Sequence, residues 1–201
     1  NTHPHGDHMG GLLPVLETLP VGCLFTGVGF DDIALQEELL NTAAAAHVPW
    51  DFLLPGDILY LEENLTLEVL SAPLSADDIG NDLNDASCIF RLRYGDIDFL
   101  LPGDAGQKPL SQIPIREPET IEVIEMAHHG SPNSFTPDLY RSYQPEAVII
   151  SVGENNSYGH PDPAILAYWQ KRGIPVYRTD ELGAITCTTD GNHLTVEGFL
   201  P

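Results

Sequence analysis

The sequence predicts a mixed α/β domain in which strands outnumber helices, with sheets packed inside layers of helix. The chain has 201 residues, of which 42% are hydrophobic, and this is enough for one sizeable core. Residues 65–70 alternate apolar side chains with period two, which is typical of a half-buried strand. Asp162-Pro163 pairs a capping side chain with proline at the first helical position, which favours the start of a helix.

The remaining elements follow from the same kinds of signal. A helix is expected from a cap at Asp31 to the alanine run at 43–46, and another is expected to start at Thr136-Pro137. Gly173 is a natural stop for the helix that begins after Asp162. The predicted strands lie at 24–26, 65–70, 88–94, 97–101, 122–126, 147–151, 176, 184–188 and 194–196.

The chain is strongly acidic, with a net charge of −22 from 30 Asp and Glu against 8 Lys and Arg. A field of this sign repels polyanions at long range, and it lacks the basic footprint of most nucleic-acid binders. An anionic substrate would therefore need local positive charge, for which bound divalent metal ions are the obvious source. No apolar run reaches about eighteen residues, so no transmembrane segment is expected within this chain.

The densest functional signal is Thr2-His3-Pro4-His5-Gly6-Asp7-His8. Three histidines and an aspartate fall within six residues of a chain that has only 8 histidines. Imidazole and carboxylate together suit zinc, manganese or iron. The spacing of His3 and His5 lets both rings point one way from an extended segment, and Asp7 and His8 then turn toward a second position. We therefore expect a metal site here.

Two predicted strands end in further candidate ligands. Residues 99–101 lead into Pro102-Gly103-Asp104, which places a carboxylate at the tip of a strand, where it can bridge two metal ions. The strand at 122–126 leads to His128 and His129. One of these is expected to be a ligand and the other a supporting or substrate contact, and the sequence leaves open which is which.

A fourth segment, Tyr158-Gly159-His160-Pro161, lies between a predicted strand and a predicted helix. His160 can stabilise an anionic transition state or donate a proton to a leaving group, and the alternative is a role in ordering the loop. The reaction expected from the whole set is metal-assisted hydrolysis, with Asp7 or Asp104 orienting the attacking water.

Taken in order, these segments resemble the metallo-β-lactamase superfamily, with its His-x-His-x-Asp-His, strand-Gly-Asp and strand-His pattern. Later segments are most similar to the C-terminal domain of ComEC-type DNA-uptake channel proteins, and the resemblance runs from residue 2 to about 196. The residues that carry the narrower resemblance are His128-His129-Gly130-Ser131, Ile149-Ile150-Ser151-Val152-Gly153, Tyr158-Gly159-His160-Pro161, Tyr177-Arg178-Thr179-Asp180 and Gly183-Ala184-Ile185-Thr186.

The resemblance implies an αββα sandwich with one or two divalent metal ions, Zn or Mn, at one edge of the paired sheets. It implies a nuclease that degrades the non-transforming strand of incoming DNA, with single-stranded DNA as substrate. The domain would belong to a longer polypeptide with a membrane channel region, and would face the extracytoplasmic side of the cell membrane. The implied metal ligands are His3, His5, Asp7, His8, Asp104 and one of His128 or His129. The candidate catalytic residues are Asp7, Asp104 and His160, and the candidate substrate contacts are Asn84, Ser87, Ser131, Tyr158 and His160.

Three departures from the family pattern bear on these expectations. The sandwich normally begins with two strands before the first motif, so we expect residues 1–201 to be one N-terminally truncated domain that lacks its first strands. The superfamily usually supplies a histidine between the first motif and Gly-Asp, but residues 81–87 contain none, and Asn84 and Ser87 are the nearest polar candidates. The first metal position is therefore expected to be weaker, open or empty. The acidic surface is also unusual for a domain that degrades DNA.

Two other functions stay open. One is a metallo-hydrolase of another ester, a thioester or a lactam, which the superfamily resemblance allows and the acidic surface mildly favours. The other is a binding or structural module of the uptake channel, with a degenerate metal site and no turnover. The missing histidine is the reason to keep this second alternative.

Overall fold

The computed structural model describes residues 1–27, 34–75, 82–115 and 120–200. Within these residues it contains eleven strands, seven α-helices and three 3₁₀ turns. The strands are β1 Leu24–Thr26, β2 Trp50–Phe52, β3 Ile58–Glu62, β4 Leu65–Ser71, β5 Ile89–Tyr94, β6 Ile97–Leu101, β7 Val123–Glu125, β8 Ala147–Ile150, β9 Val176–Arg178, β10 Ile185–Thr189 and β11 Leu194–Gly198. The α-helices are α1 Gly6–Met9, α2 Leu12–Thr18, α3 Ala34–Ala45, α4 Gln107–Ser111, α5 Pro137–Arg141, α6 Pro163–Lys171 and α7 Thr179–Leu182. The 3₁₀ turns are Leu83–Ala86, Ala127–Gly130 and Pro132–Ser134.

Seven strands form one mixed sheet in the order β3-β4-β5-β6-β7-β8-β9. Neighbours from β3 to β6 pair antiparallel, whereas neighbours from β6 to β9 pair parallel. Parallel strands all end at the same edge of a sheet, and so the loops that follow β6, β7 and β8 leave from one edge. These loops carry Asp104, the pair His128 and His129, and His160. The sheet thus gathers motifs that lie far apart in the sequence.

Three apolar clusters show how the elements are layered. The first contains Trp169 of α6 and Leu100 of β6, and the second contains Leu101 of β6 and Phe25 of β1. Leu100 and Leu101 point to opposite faces because successive side chains alternate along a strand. The third cluster joins Leu24 of β1 to helices α1, α2 and α3. The order of layers is therefore helices, large sheet, the parallel pair β1–β2, and helices again, which confirms the predicted α/β class.

Most predicted strands and helices form where the sequence pattern placed them. The side chain of Asp162 accepts a hydrogen bond from the backbone N–H of Ala164 at 2.7 Å, as expected of a cap. Thr136 precedes α5 as predicted but makes no side-chain cap bond. The predicted cap at Asp31 lies outside the described residues. Among the described residues, no helix combines the length and apolar character needed to cross a bilayer.

Candidate metal centre

Asp104 lies at the centre of the site, in the loop that follows β6. Its side chain is buried, and a φ of +54° at Gly103 turns the chain sharply after the strand. The backbone N–H of Asp104 donates a hydrogen bond to Ser87 Oγ at 3.1 Å, which holds the loop in place. Asp104 Oδ1 lies 3.4 Å from His8 Nε2, and Asp104 Oδ2 lies 3.6 Å from His129 Nε2. The carboxylate thus faces histidines from two separate segments.

His3 and His5, in the segment before α1, form one group of candidate ligands with Asp104. One ligand atom from each of the three residues lies within 4.8 Å of the others. His3 Nε2 is 3.1 Å from His5 Nδ1 and 3.9 Å from Asp104 Oδ2. On the far side of the ring, Thr2 Oγ1 is 3.1 Å from His3 Nδ1. This contact orients His3 so that Nε2 faces the group.

Asp7, His8 and His129 form a second group, again with Asp104, and their ligand atoms also lie within 4.8 Å of one another. Helix α1 begins at Gly6, so Asp7 and His8 lie in its first turn. Asp7 Oδ2 is 3.7 Å from His8 Nε2 and 3.8 Å from His129 Nε2. Asp104 is therefore shared by both groups, which is the arrangement expected of a carboxylate that bridges two metal ions.

The structure brings His129, rather than His128, into these groups. Both residues have positive φ, 50° at His128 and 57° at His129, within one 3₁₀ turn. His129 Nδ1 donates a hydrogen bond to the carbonyl of Ser151 at 2.7 Å, which leaves the lone pair of Nε2 free on the side of Asp104. His128 Nε2 is 3.9 Å from Asp104 Oδ2, and its ring packs edge-on against His160 at a centroid distance of 5.8 Å. The geometry therefore favours His129 as the ligand.

Burial and the carboxylate of Asp104 set the protonation of the cluster. Burial, assisted by the nearby His8, lowers the pKa of His3 to about 4, so this ring is neutral at pH 7 and has no proton to lose on binding a metal. The adjacent carboxylate of Asp104 raises the pKa of His8. Burial on its own would raise the pKa of Asp104, but the contact with His8 and the charges of the other histidines outweigh it and lower that pKa.

A buried nitrogen in the cluster fits a bound cation. His8 Nε2 is buried and has no hydrogen-bond partner among the described residues, since its contact with Asp104 Oδ1 is long for a hydrogen bond. A buried polar atom without a partner needs an explanation, and an ion is one. Two atoms that each bind zinc at about 2.1 Å lie no more than about 4.2 Å apart. The six contacts of 3.1 to 3.9 Å between candidate ligands given above meet this limit, and imidazole and carboxylate are donors that zinc and manganese accept.

The cluster opens into a cavity of about 310 Å³, which Asn84, His128, Tyr158 and His160 line together with four of the candidate ligands. The Oδ1 atom of Asn84 is buried and, among the described residues, has no hydrogen-bond partner. Burial, followed by the charges of His128 and His129, lowers the pKa of His160. His160 is therefore a neutral ring at pH 7.

Two predicted substrate contacts, Ser87 and Ser131, lie behind the site. Both are buried, and neither is among the described residues that line the cavity. Ser87 accepts the hydrogen bond from Asp104 described above, and Ser131 Oγ accepts one from the N–H of Asn133 at 3.3 Å. The structure thus gives both serines supporting contacts.

Two supporting residues, Asn156 and Ser151, were not among the predicted site residues. Asn156 Oδ1 accepts a hydrogen bond from the N–H of His160 at 3.0 Å, and its Nδ2 donates to the carbonyl of His160 at 2.7 Å. Ser151 Oγ donates to Glu125 Oε1 at 3.0 Å, while its carbonyl holds His129. These bonds involve backbone atoms or distant partners, and the sequence therefore carries no clear signal for them.

The mixed sheet lies between helical layers. At the carboxyl edge of its parallel strands, two histidine and aspartate groups share one buried carboxylate. These features define a candidate two-ion metal centre. No family model matches the chain. Individual relatives do match it, and all three described below are considerably longer proteins.

The chain is 30% identical over 185 residues to ComE operon protein 3 of Bacillus subtilis, which covers 92% of the chain and 23% of that protein. It is 34% identical over 165 residues to Recombination protein 2 of Haemophilus influenzae, covering 82% of the chain and 19% of that protein. It is 30% identical over 106 residues to Competence protein ComA of Neisseria gonorrhoeae, covering 52% of the chain and 15% of that protein. The similarity supports the predicted relation to ComEC-type proteins, whereas the relation to the metallo-β-lactamase superfamily stays a prediction.

Proposed function

We propose that this chain is a metal-dependent phosphodiesterase domain that degrades DNA during competence-linked DNA uptake. The observation that carries the proposal is the buried carboxylate of Asp104, which lies between two groups of imidazole and carboxylate ligand atoms. One relative is named a competence protein and another a recombination protein, and both names support a substrate that is DNA. By the same relation, the domain would be part of a longer polypeptide with a membrane channel region and would face the extracytoplasmic side.

One or two divalent ions, zinc or manganese, are the implied cofactors. The residues that would hold them are His3, His5 and Asp104 for one ion, and Asp7, His8, Asp104 and His129 for the other. When bound, such ions would supply positive charge for a phosphate, and would lower the pKa of a bound water to about 7. In a chain with a net charge of −22, this local charge is what would draw a phosphodiester into the cavity.

The chain's own residues would orient the reactants. The side chain of Asp7 is 67% exposed at the mouth of the site, so its carboxylate can accept a hydrogen bond from the attacking water. Asp104 stays ionised because its pKa is lowered. His160, held by Asn156, is neutral at pH 7 and can donate a ring N–H to an oxygen on which negative charge develops.

The proposal is tested by hydrolysis of bis-p-nitrophenyl phosphate and of single-stranded DNA, with added Mn²⁺ or Zn²⁺. Asp104→Asn removes the shared charge, and we expect it to lower kcat/KM on both substrates by at least about 100-fold. Asp190→Asn is the matched control, since Asp190 is exposed and bonds to Asn192 and His193 in the turn between β10 and β11. Equal rates for Asp104→Asn and Asp190→Asn would refute the proposal.

The acidic surface supports a second candidate function, hydrolysis of a small neutral ester, thioester or lactam. Such a substrate would not be repelled by the net charge of −22. A panel of these substrates, assayed beside the two phosphodiesters, separates the two functions. Turnover of a lactone or a β-lactam without turnover of either phosphodiester would favour the second.

A further inference from the structure

Tyr158 is an exposed aromatic side chain at the rim of the candidate metal centre. It is 82% exposed, yet it lines the cavity that holds the candidate ligands. Its ring stacks on the ring of His160 with an interplanar angle of 18° and a centroid distance of 5.9 Å. One face of Tyr158 is therefore supported from within the site, and most of the side chain is open to solvent.

The inner ring of this stack is held firmly. Asn156 bonds both the N–H and the carbonyl of His160, and it also donates to the carbonyl of Gly153 at 3.1 Å. The ring of His128 packs edge-on against His160. Gly159, between the two stacked residues, has a φ of +75°, a conformation that favours glycine. The loop therefore presents Tyr158 on a fixed base.

Tyr158 and His160 also line a second cavity of about 360 Å³ beside the first. The two cavities share Asp7 and His129 as well, so the stacked rings and two of the candidate ligands border both spaces. Apart from these four residues, the second cavity is lined by uncharged residues: Ser151, Val152, Gly153, Asn156 and Thr179. An uncharged planar group that enters this cavity is not repelled by the negative charge of the molecule.

The net charge of the chain favours base stacking over phosphate contacts as the way to hold a nucleic acid. Proteins that bind single strands commonly combine stacking aromatics with a positively charged groove. This chain has 30 Asp and Glu against 8 Lys and Arg, so its surface is poorly suited to hold the rest of a phosphate backbone. Stacking needs no positive charge, because every base has an aromatic face.

We propose that Tyr158 and His160 form a platform on which an unpaired base beside the scissile phosphate stacks, so that the site selects single-stranded over double-stranded DNA. The inference rests on the proposed phosphodiesterase function and names the part of the substrate that the site recognises. A paired base is stacked within its duplex and cannot occupy the platform without being unpaired.

The test compares two short single-stranded oligonucleotides that each have one scissile linkage. In one of them a thymine lies beside this linkage, and in the other an abasic residue takes its place. For the wild type with Mn²⁺, removal of the base is expected to lower kcat/KM by about tenfold or more. Tyr158→Ala should lower kcat/KM on the intact strand by a similar factor. For this variant, kcat/KM should hardly change when the base is removed. Tyr158→Trp should restore the preference for the base, because it restores an aromatic face.

Tyr60→Ala is the control variant, since Tyr60 is 78% exposed on β3 and lines neither of the two cavities. It should leave the response to the abasic residue unchanged. A Tyr158→Ala variant that lowers kcat/KM equally on both oligonucleotides, or on neither, would overturn the platform.

A binding measurement distinguishes a failure of the proposed function from a failure of the platform. If the wild type hydrolyses no phosphodiester, the phosphodiesterase proposal fails, and the anisotropy of a labelled oligothymidine with Mn²⁺ still tests the platform. Weaker binding by Tyr158→Ala than by Tyr60→Ala, and weaker binding of a duplex than of the single strand, would support it. Undetectable binding by the wild type, or equal affinities for the two variants, would overturn it.

Discussion

The candidate centre depends on the carboxylate of Asp104 and on which of two adjacent histidines, His128 or His129, is the metal ligand. His129 is fixed by a hydrogen bond from Nδ1 to the carbonyl of Ser151, whereas His128 faces His160. A ligand whose second nitrogen is already bonded presents one defined lone pair, which favours metal binding. The two histidines should therefore respond differently to substitution.

We expect His129→Ala to weaken Mn²⁺ binding by about 10- to 100-fold, because it removes one of the four residues of the second group. His128→Ala should retain Mn²⁺ affinity within about threefold and act mainly on turnover, since His128 lies in the wall of the cavity. Calorimetric titration of both variants with Mn²⁺ makes the comparison. The opposite order of affinities would assign the ligand to His128.

Part of this site could be predicted from the sequence at the level of residues. The segment from His3 to His8 is dense enough in ligand types to stand out by spacing alone. The choice of His129 could not be predicted, because it depends on positive φ at both histidines and on a carbonyl supplied by another strand end. Ser87 and Ser131 are named by the sequence as substrate contacts, but their burial depends on tertiary packing.

At the level of elements, the three-dimensional site depends on loops that leave one edge of the parallel strands β6, β7 and β8. Gly130 links two of these loops. Its φ is +79°, and a Cβ at this position would lie 2.7 Å from Pro161 Cβ, next to His160. The close approach of the two loops therefore requires glycine at position 130.

Gly130→Ala should destabilise the fold by about 1–3 kcal/mol, because it adds both a clash and an unfavourable φ. Gly153→Ala is the matched control, since a Cβ at Gly153 would meet no atom within 4 Å. Urea denaturation of the two variants measures the difference. Equal midpoints, with equal slopes, would show that Pro161 yields and that the two loops are not tightly coupled.

The sequence pattern predicts elements well where one face is buried and the other is not. Strand β4 and the hairpin of β5 and β6 are confirmed, since period two or a turn signal marks them. Strands β2 and β3 are not predicted, because most of their residues are exposed and their hydrophobic residues do not alternate with burial. The short helices α1, α2, α4 and α7 have 4 to 7 residues, too few to set up a periodic pattern.

At the level of the whole molecule, the net charge of −22 sets an unusual condition for a nuclease. A basic DNA-binding protein loses about 10³- to 10⁵-fold in affinity between about 50 and 200 mM salt when it makes six to ten phosphate contacts. Here the long-range field repels DNA, and salt screens that repulsion. For this chain, kcat/KM on DNA should therefore rise with salt, or fall much less steeply than the affinity of a basic protein does.

We expect kcat/KM for single-stranded DNA to rise, or to change by less than about threefold, between about 50 and 200 mM NaCl. The same series with bis-p-nitrophenyl phosphate is the control, because that substrate carries one charge and feels the field weakly. A steep loss of DNA hydrolysis with salt, of the size seen for basic binders, would mean that a positive surface outside the candidate centre dominates binding.

The metal content of the purified chain is a direct test of the proposed metal centre. The chain is loaded with Mn²⁺ or Zn²⁺ and desalted, its ions are counted per chain by mass spectrometry, and hydrolysis of bis-p-nitrophenyl phosphate is assayed on the same sample. We expect between one and two ions per chain, with turnover, for the wild type, and a loss of both ions and turnover for Asp104→Asn. Fewer than about 0.2 ion per chain and no turnover in the wild type would contradict the proposed metal-dependent phosphodiesterase and favour a non-catalytic module.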